Sequence, residues 1–207
     1  MLGAGGHARV VIETLLSSGC EVAALIDPDR ALWGAKLEGV LVAGGDEKLA
    51  GFPPARHAAA VGVGAGRDTR RRRAVHEAAA AAGYVLPPII APSAIVARSA
   101  RLGAGAQVLT RAVVHPGASI GDGAVVNTAA VVEHDCRVGK HAFIGPAAVL
   151  CGGVQVADGA FIGAGAIVLP GLKSGDGALV AAGVVVRKSV DAGAKEIGRA
   201  RRGRASP

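Results

Sequence analysis

The chain has 207 residues, a formal net charge of +7, and a composition that is 51% hydrophobic but only 2% aromatic. That length holds one large or two small domains, and the shortage of aromatics removes the stacking platform a basic single-strand nucleic-acid binder would use. Three scattered cysteines (Cys20, Cys136, Cys151) suit reduced thiols in a cytoplasmic protein, no apolar run reaches the ~18 residues of a membrane helix, and the opening residues do not form a signal peptide.

The first predicted element is a glycine loop, Gly3-Ala4-Gly5-Gly6-His7, running into an amphipathic helix from Ala8 to Ser18. Val11, Ile12, Leu15 and Leu16 share one face, and Gly19 stops the helix. An apolar strand, Val22 to Ile26, ends in Asp27-Pro28. Gly3-x-Gly5-x-x-Ala8 followed by an acid fits the nucleotide-binding fingerprint: amides at the helix N-terminus meet a phosphate, and Asp27 is placed for a ribose hydroxyl. Only Met1 and Leu2 precede the glycines, so the first strand is tiny or missing. A strand near Ala58 to Val63 and a helix near Thr69 to Ala82 complete half a Rossmann unit, which fits a mononucleotide or a nucleotide-sugar better than a dinucleotide. Trp33 and Leu37 read as packing residues, and Arg70–Arg73 as a solvated helix face. Pro87-Pro88 marks a hinge.

From Ile90 to Val186 every sixth residue is aliphatic, Ser174 excepted, and the position two before it is mostly alanine. A period of six is neither helical nor that of a simple strand; it marks a parallel β-helix, a triangular prism with about eighteen residues per coil. Glycine often follows the aliphatic residue, as at Gly103, Gly121 and Gly163, and is read as the turn residue with positive φ. The domains expected are 1–86 (α/β), 87–190 (β-helix) and 191–207, a basic, disordered tail that includes Arg199–Arg204.

The polar interruptions of the repeat carry the candidate chemistry: Asn127-Thr128, then Glu133-His134-Asp135-Cys136. A histidine flanked by carboxylates is a candidate general base. One coil beyond His134 lies Gly152, about one strand spacing (~4.8 Å) away, where an exposed amide could stabilise an oxyanion. Cys136 occupies a small-residue slot and reads as inert, whereas Cys151 beside the glycines is the better nucleophile for a competing acyl-enzyme route. A zinc hydrase on a similar β-helix would need histidines to converge, and the spacing of His115, His134 and His141 does not suit it.

Taken together, the glycine-rich opening, Ile26-Asp27, Asn127-Thr128, Glu133-His134-Asp135, Pro146, Cys151-Gly152-Gly153 and Ile162-Gly163-Ala164-Gly165-Ala166 resemble one family over roughly residues 1–190. It is the sugar O-acyltransferase family of sialic acid O-acetyltransferases and bacterial nucleotide-amino-sugar N-acetyltransferases. The resemblance implies a left-handed β-helix, a homotrimer with its active site between neighbouring β-helices, and acetyl-CoA as donor with no metal. It implies that His134 is the base, Asp135 its partner, Asn127 an active-site residue and the Gly152 amide the oxyanion donor. Gly5, Gly6, His7, Asp27 and Pro28 match nucleotide-sugar positions. Phe143, Ala164 and Ala182 match acetyl-CoA positions, with Phe143 where the family often has histidine. Phe161, one coil on, is placed to stack on Phe143. N-acetylation of a nucleotide-linked amino sugar is the reading favoured, with O-acetylation of a sugar and a non-enzymatic sugar-binding scaffold as alternatives.

Overall fold

The computed structural model describes residues 1–66 and 68–198; the Arg199–Arg204 part of the expected tail lies outside the described residues. Helix α1 spans Gly6–Ser17 and buries Ala8, Val11 and Ile12, whereas Leu16, placed on the apolar face by its spacing, is 43% exposed. Of the strand expected over Val22–Ile26 only Leu25–Ile26 pairs. The first strand is present, shortened to a bridge. Leu2 pairs in parallel with both Ile26 and Val61, so Met1–Gly3 forms the centre of the sheet. Its hydrogen bonds run to both sides: Gly3 N–H to the Ile26 carbonyl, and Gly62 N–H to the Leu2 carbonyl. Val61 is in turn all that remains of the strand expected over Ala58–Val63.

A hairpin that the sequence reading missed extends this sheet. Lys36–Leu37 pairs antiparallel with Val40–Gly44 across Glu38-Gly39, and Val40–Gly44 pairs in parallel with Leu25–Ile26. Both turn residues have positive φ (46° and 81°), as a two-residue primed turn requires. Helix α2 spans Arg70–Ala81.

The remainder is the expected prism. Face 1 has seven strands (first Ile89–Ile90), face 2 has six (first Ile95–Val96) and face 3 has five (first Arg101–Leu102), all parallel. Partners lie eighteen residues apart, as in Val125↔Phe143. The six-residue ladder points inward: Val108, Val114, Val126, Val132, Ile144 and Leu150 are all fully buried, with the alanine column between them. The last coil is two residues short, pairing Leu179 with Lys195 and Ser174 with Val190. The prism thus runs into the stretch expected to be a disordered tail, since Lys195–Glu196 is strand-paired.

The glycines fall into two classes, and the turn assignment is corrected. Glycines that follow the aliphatic residue do not adopt positive φ. They are glycine because the next coil stacks on them: a Cβ on Gly121 would lie 2.7 Å from Gly139 C, and one on Gly163 2.5 Å from Ala182 N. Positive φ belongs to the residue two later, as at Gly117, Gly123, Gly153 and Gly159. Arg111, Ala129, Asp135, His141 and Ala147 hold the same conformation without being glycine.

The N-terminal unit covers face 1. Along the corner between faces 3 and 1, α2 is fastened coil by coil: His76 Nε2 meets the Ala104 carbonyl at 3.0 Å, Arg72 Nε donates to the Gly123 carbonyl, and Thr69 Oγ1 donates to the Gly159 carbonyl. The Arg70–Arg73 face is therefore not wholly solvated. Arg72 is 1% exposed and also binds the Val61 and Val63 carbonyls, because its spacing turns it inward between its three exposed neighbours.

Candidate active site

A cleft of about 1010 Å³ opens where the glycine loop meets the corner between faces 1 and 2. One wall is Gly3, Gly5, Gly6 and His7 with the loop 62–66; the other is Asn127, Phe143, Gly145, Pro146, Phe161 and Ala164. The N-cap of α1 is Gly5, and no side chain caps the helix, so the first-turn N–H groups are left for an anion. Gly3 has φ +97°, and a Cβ there would strike the Val63 side chain at 2.7 Å.

Asp27 lines the same cleft but is already engaged. Its Oδ2 accepts the Ala4 N–H at 2.7 Å and its Oδ1 the Asp29 N–H at 2.9 Å. Both bonds hold the glycine loop and the turn after the strand in place. Pro28 is not among the lining residues. Trp33, expected to be packing, is 37% exposed and donates its indole N–H to the Asp27 carbonyl.

His7 leans on the prism. Its Nε2 lies 2.8 Å from Gln107 Oε1, and Gln107 Nε2 donates to the Val61 carbonyl at 2.8 Å. Burial, and then the charge of Arg72, lowers the His7 imidazole to about 4, so the ring is neutral near pH 7. Gln107 and Arg72 were both missed in the sequence. Gln107 had a signal, being a polar residue in an outward ladder whose neighbours are Ile89 and Val125.

On the prism side, the Asn127 Oδ1 accepts the Thr128 N–H at 2.7 Å. Phe143 and Phe161 stack in adjacent coils, with centroids 5.1 Å apart and planes 3° apart, over Leu109, Val125 and Ala65. Ala164 lines the cleft; Ala182 is its equivalent one coil on and does not.

His134 is elsewhere, at the corner between faces 2 and 3, with its side chain 65% exposed. Its Nδ1 lies 2.9 Å from Asp135 Oδ2, which leaves Nε2 free to take a proton. Asp135 reaches it because the backbone there has φ +60°, a conformation that Gly117 and Gly153 hold in the coils on either side. Two glycines make room for this pair: a Cβ on Gly117 would lie 2.5 Å from Asp135 Oδ1, and one on Gly152 2.6 Å from His134 Nε2. The Gly152 N–H has no acceptor among the described residues. Gly152→Ala is therefore expected to displace the ring and lower turnover at least tenfold without loss of folded structure, as read by turnover and circular dichroism. Glu133 stacks in register on His115, whose Nε2 is 3.7 Å from Glu133 Oε1, and makes no hydrogen bond or ion pair with His134 among the described residues. Cys136 is fully buried, and burial pushes its thiol up to about 11; Cys151 is half-buried. Among the described residues no three or more His, Cys, Asp or Glu side chains form a group that could hold a metal ion. His141 lies at a different corner, packed against His76.

Comparison with known proteins gives these features a context. The family model of the PglD N-terminal domain matches residues 1–78, that of the bacterial transferase hexapeptide (six repeats) residues 135–170, and that of the hexapeptide repeat of succinyl-transferase residues 158–188. PerB from Caulobacter crescentus, solved in complex with CoA and GDP-perosamine, is 40% identical, with 95% of this chain and 92% of that one covered and a TM-score of 0.87. The acetyltransferase domain of PglB from Neisseria gonorrhoeae, solved with acetyl coenzyme A, is 34% identical, with 94% and 92% covered and a TM-score of 0.86. WeeI from Acinetobacter baumannii, at 24% identity and a TM-score of 0.76, shares the fold. No protein of curated function matches the chain significantly. Identity of 34–40% along nearly the whole length, with the glycine-loop unit and the hexapeptide prism in the same order, shows that the chain belongs to the hexapeptide-repeat sugar acetyltransferases with a left-handed β-helix and a PglD-type N-terminal domain.

Proposed function

We propose that the chain transfers the acetyl group of acetyl-CoA to the amine of a nucleotide-linked amino sugar. The observation that carries this is His134, held by Asp135 at 2.9 Å with its Nε2 beside the Gly152 backbone, whose N–H has no acceptor among the described residues. It is supported by the CoA and GDP-perosamine bound to the 40% identical PerB. The amine nitrogen attacks the thioester carbonyl while His134 Nε2 takes its proton. The Gly152 N–H meets the developing oxyanion. The C–S bond then breaks, and the CoA sulfur leaves as thiolate or takes the proton back from His134. In this reading residues 1–86 hold the acceptor, with its diphosphate at Gly5 and Gly6, and residues from 87 onward carry the transfer. Phe143, Ala164 and Ala182 lie along the donor's path. The free cysteines suit a cytoplasmic enzyme, and among the described residues no helix is long and apolar enough to cross a membrane.

The site is shared between chains in this proposal. The cleft lies at one edge of face 2 and His134 at the other. Between them the outward positions of face 2 are all aliphatic: Ile95, Val113, Val131, Val149, Ile167 and Val185. Ile95 is 65% exposed and Val185 40%. The equivalent ladder on face 3 is Arg101, Ser119, Arg137, Gln155 and Lys173. An apolar sheet face next to a polar one is an interface in waiting. A second copy packed there brings its own cleft toward this chain's His134, and the cyclic trimer implied by the family resemblance closes the arrangement. Val131→Lys is expected to give a folded monomer with little activity, read by light scattering and turnover; an active trimer would remove the shared site.

The test of the reaction is thiol release from acetyl-CoA against GDP-, UDP- and dTDP-linked amino sugars and free sialic acids. Release with an amino-sugar nucleotide supports the proposal. Release with sialic acid alone moves it to O-acetylation, and release with none overturns it.

A further inference from the structure

Gln107 stands in an outward position on face 1 where its ladder neighbours are Ile89 and Val125. It is fully buried, and a buried amide is costly unless both ends are satisfied. Its nitrogen end is fixed by the Val61 carbonyl, which only accepts. Its oxygen end must therefore face His7 Nε2. An amide oxygen also only accepts, so the hydrogen lies on His7 Nε2 and the neutral ring carries a bare lone pair on Nδ1. Among the described residues Nδ1 meets no partner, and it is not one of the sealed, unsatisfied polar atoms. His7 lines the cleft. Arg72, whose charge acts on this ring, is directed at the Val61 and Val63 carbonyls and disfavours a second positive charge on His7.

We propose that Gln107 is a positioning residue that holds His7 as its Nε2–H tautomer, and that His7 Nδ1 accepts a hydrogen bond from an N–H or O–H of the acceptor sugar rather than gripping its diphosphate. This rests on the reading of the cleft as the acceptor site. A basic residue in the first turn of a glycine-loop helix would ordinarily be taken for a phosphate ligand. A lone pair in that place repels phosphate oxygens and carbonyls alike. It attracts a sugar hydroxyl or the amine itself. An amine has more than one hydrogen, so His7 can hold one while the base takes another, and the nitrogen lone pair is then aimed at the thioester.

The test separates tautomer from reaction. Nitrogen NMR of the histidine-labelled protein, with His7→Asn to assign the signal, is expected to show the Nε2–H tautomer unchanged from pH 6 to 8. An Nδ1–H tautomer or an imidazolium at pH 7 would overturn the proposal. Calorimetric binding of GDP- and UDP-linked amino sugars supplies the second readout. Gln107→Ala is expected to weaken binding roughly tenfold. Gln107→Glu places a carboxylate on Nε2–H, favours the imidazolium and so converts Nδ1 into a donor. Binding to that variant is expected to be weak at pH 6 and to recover by pH 8.5, whereas a packing defect would weaken it equally throughout. Tighter binding by Gln107→Glu at low pH would overturn the proposal, because a cation would then be gripping the diphosphate. A wrong reaction would show separately, as no thiol release by the wild type with any acceptor, and would leave the spectrum and the binding curves to decide the role of His7.

Discussion

His134→Ala is expected to slow acetyl transfer by about 10²- to 10⁴-fold, the range a positioned general base contributes, while the protein stays folded and still binds acetyl-CoA. The side chain is 65% exposed in a single chain and lies at a corner, so its removal opens no core cavity. The loss should appear in kcat more than in the acceptor's KM, since the imidazole takes a proton only as the new bond forms. Asp135→Asn should retain the Nδ1 contact geometry yet lose the charge that stabilises the imidazolium, and its deficit should be smaller. Single-turnover thiol release with a saturating acceptor is the measurement. Near-normal turnover in His134→Ala would remove the mechanism. A pre-steady-state burst in the wild type that vanishes in Cys151→Ala would replace it with an acyl-enzyme route.

Mixing two inactive variants should restore activity. Gly5→Asp is designed to fill the cleft without harming the fold: Gly5 has φ −84°, nothing lies within 4 Å of a Cβ there, and an aspartate at that N-cap would take the helix N–H groups a diphosphate needs. His134→Ala leaves the cleft intact. Each homotrimer alone should be nearly inactive. After dissociation and reassembly at equal amounts, about one quarter of the sites in a cyclic trimer would join an intact cleft to an intact His134 from the neighbouring chain. The mixture should then recover roughly a quarter of the wild-type rate. A site contained within one chain predicts no recovery at any ratio, so the result separates the two arrangements without a crystal of the complex.

What could be read from the sequence follows from how many residues say the same thing. The prism was legible because a single column, Val108 through Val186, repeats one physical demand at every coil. The eighteen-residue register placed Gly152 against His134, and a Cβ on Gly152 would lie 2.6 Å from His134 Nε2; Asp135 was read as the sequence neighbour of His134, and its Oδ2 lies 2.9 Å from Nδ1. Errors arose where two local causes produce the same letter. Glycine after an aliphatic residue was read as a turn, but it answers to the neighbouring coil's backbone, which is invisible in a linear pattern. Glu133 was read with its sequence neighbour His134, whereas its side chain meets His115, the residue in register one coil away. The Glu38-Gly39 hairpin was missed because Glu is rarely placed at positive φ. Arg72 was hidden among three exposed arginines, and only the helical phase set by α2 packing distinguishes it.

The coil-by-coil fastening of α2 has a consequence for how the molecule comes apart. A bare solenoid is a stack of near-identical units, each stabilised only by its neighbours, and such stacks fray and open piecemeal. Here one rigid helix, through Thr69, Arg72 and His76, is bonded to coils at Gly159, Gly123 and Ala104. Opening any of those coils means lifting the helix from the others. The first four coils of the prism are thereby turned into a single cooperative block. The final coil, two residues short and without that strap, is left as the unit that opens first, and amide exchange should run fastest there.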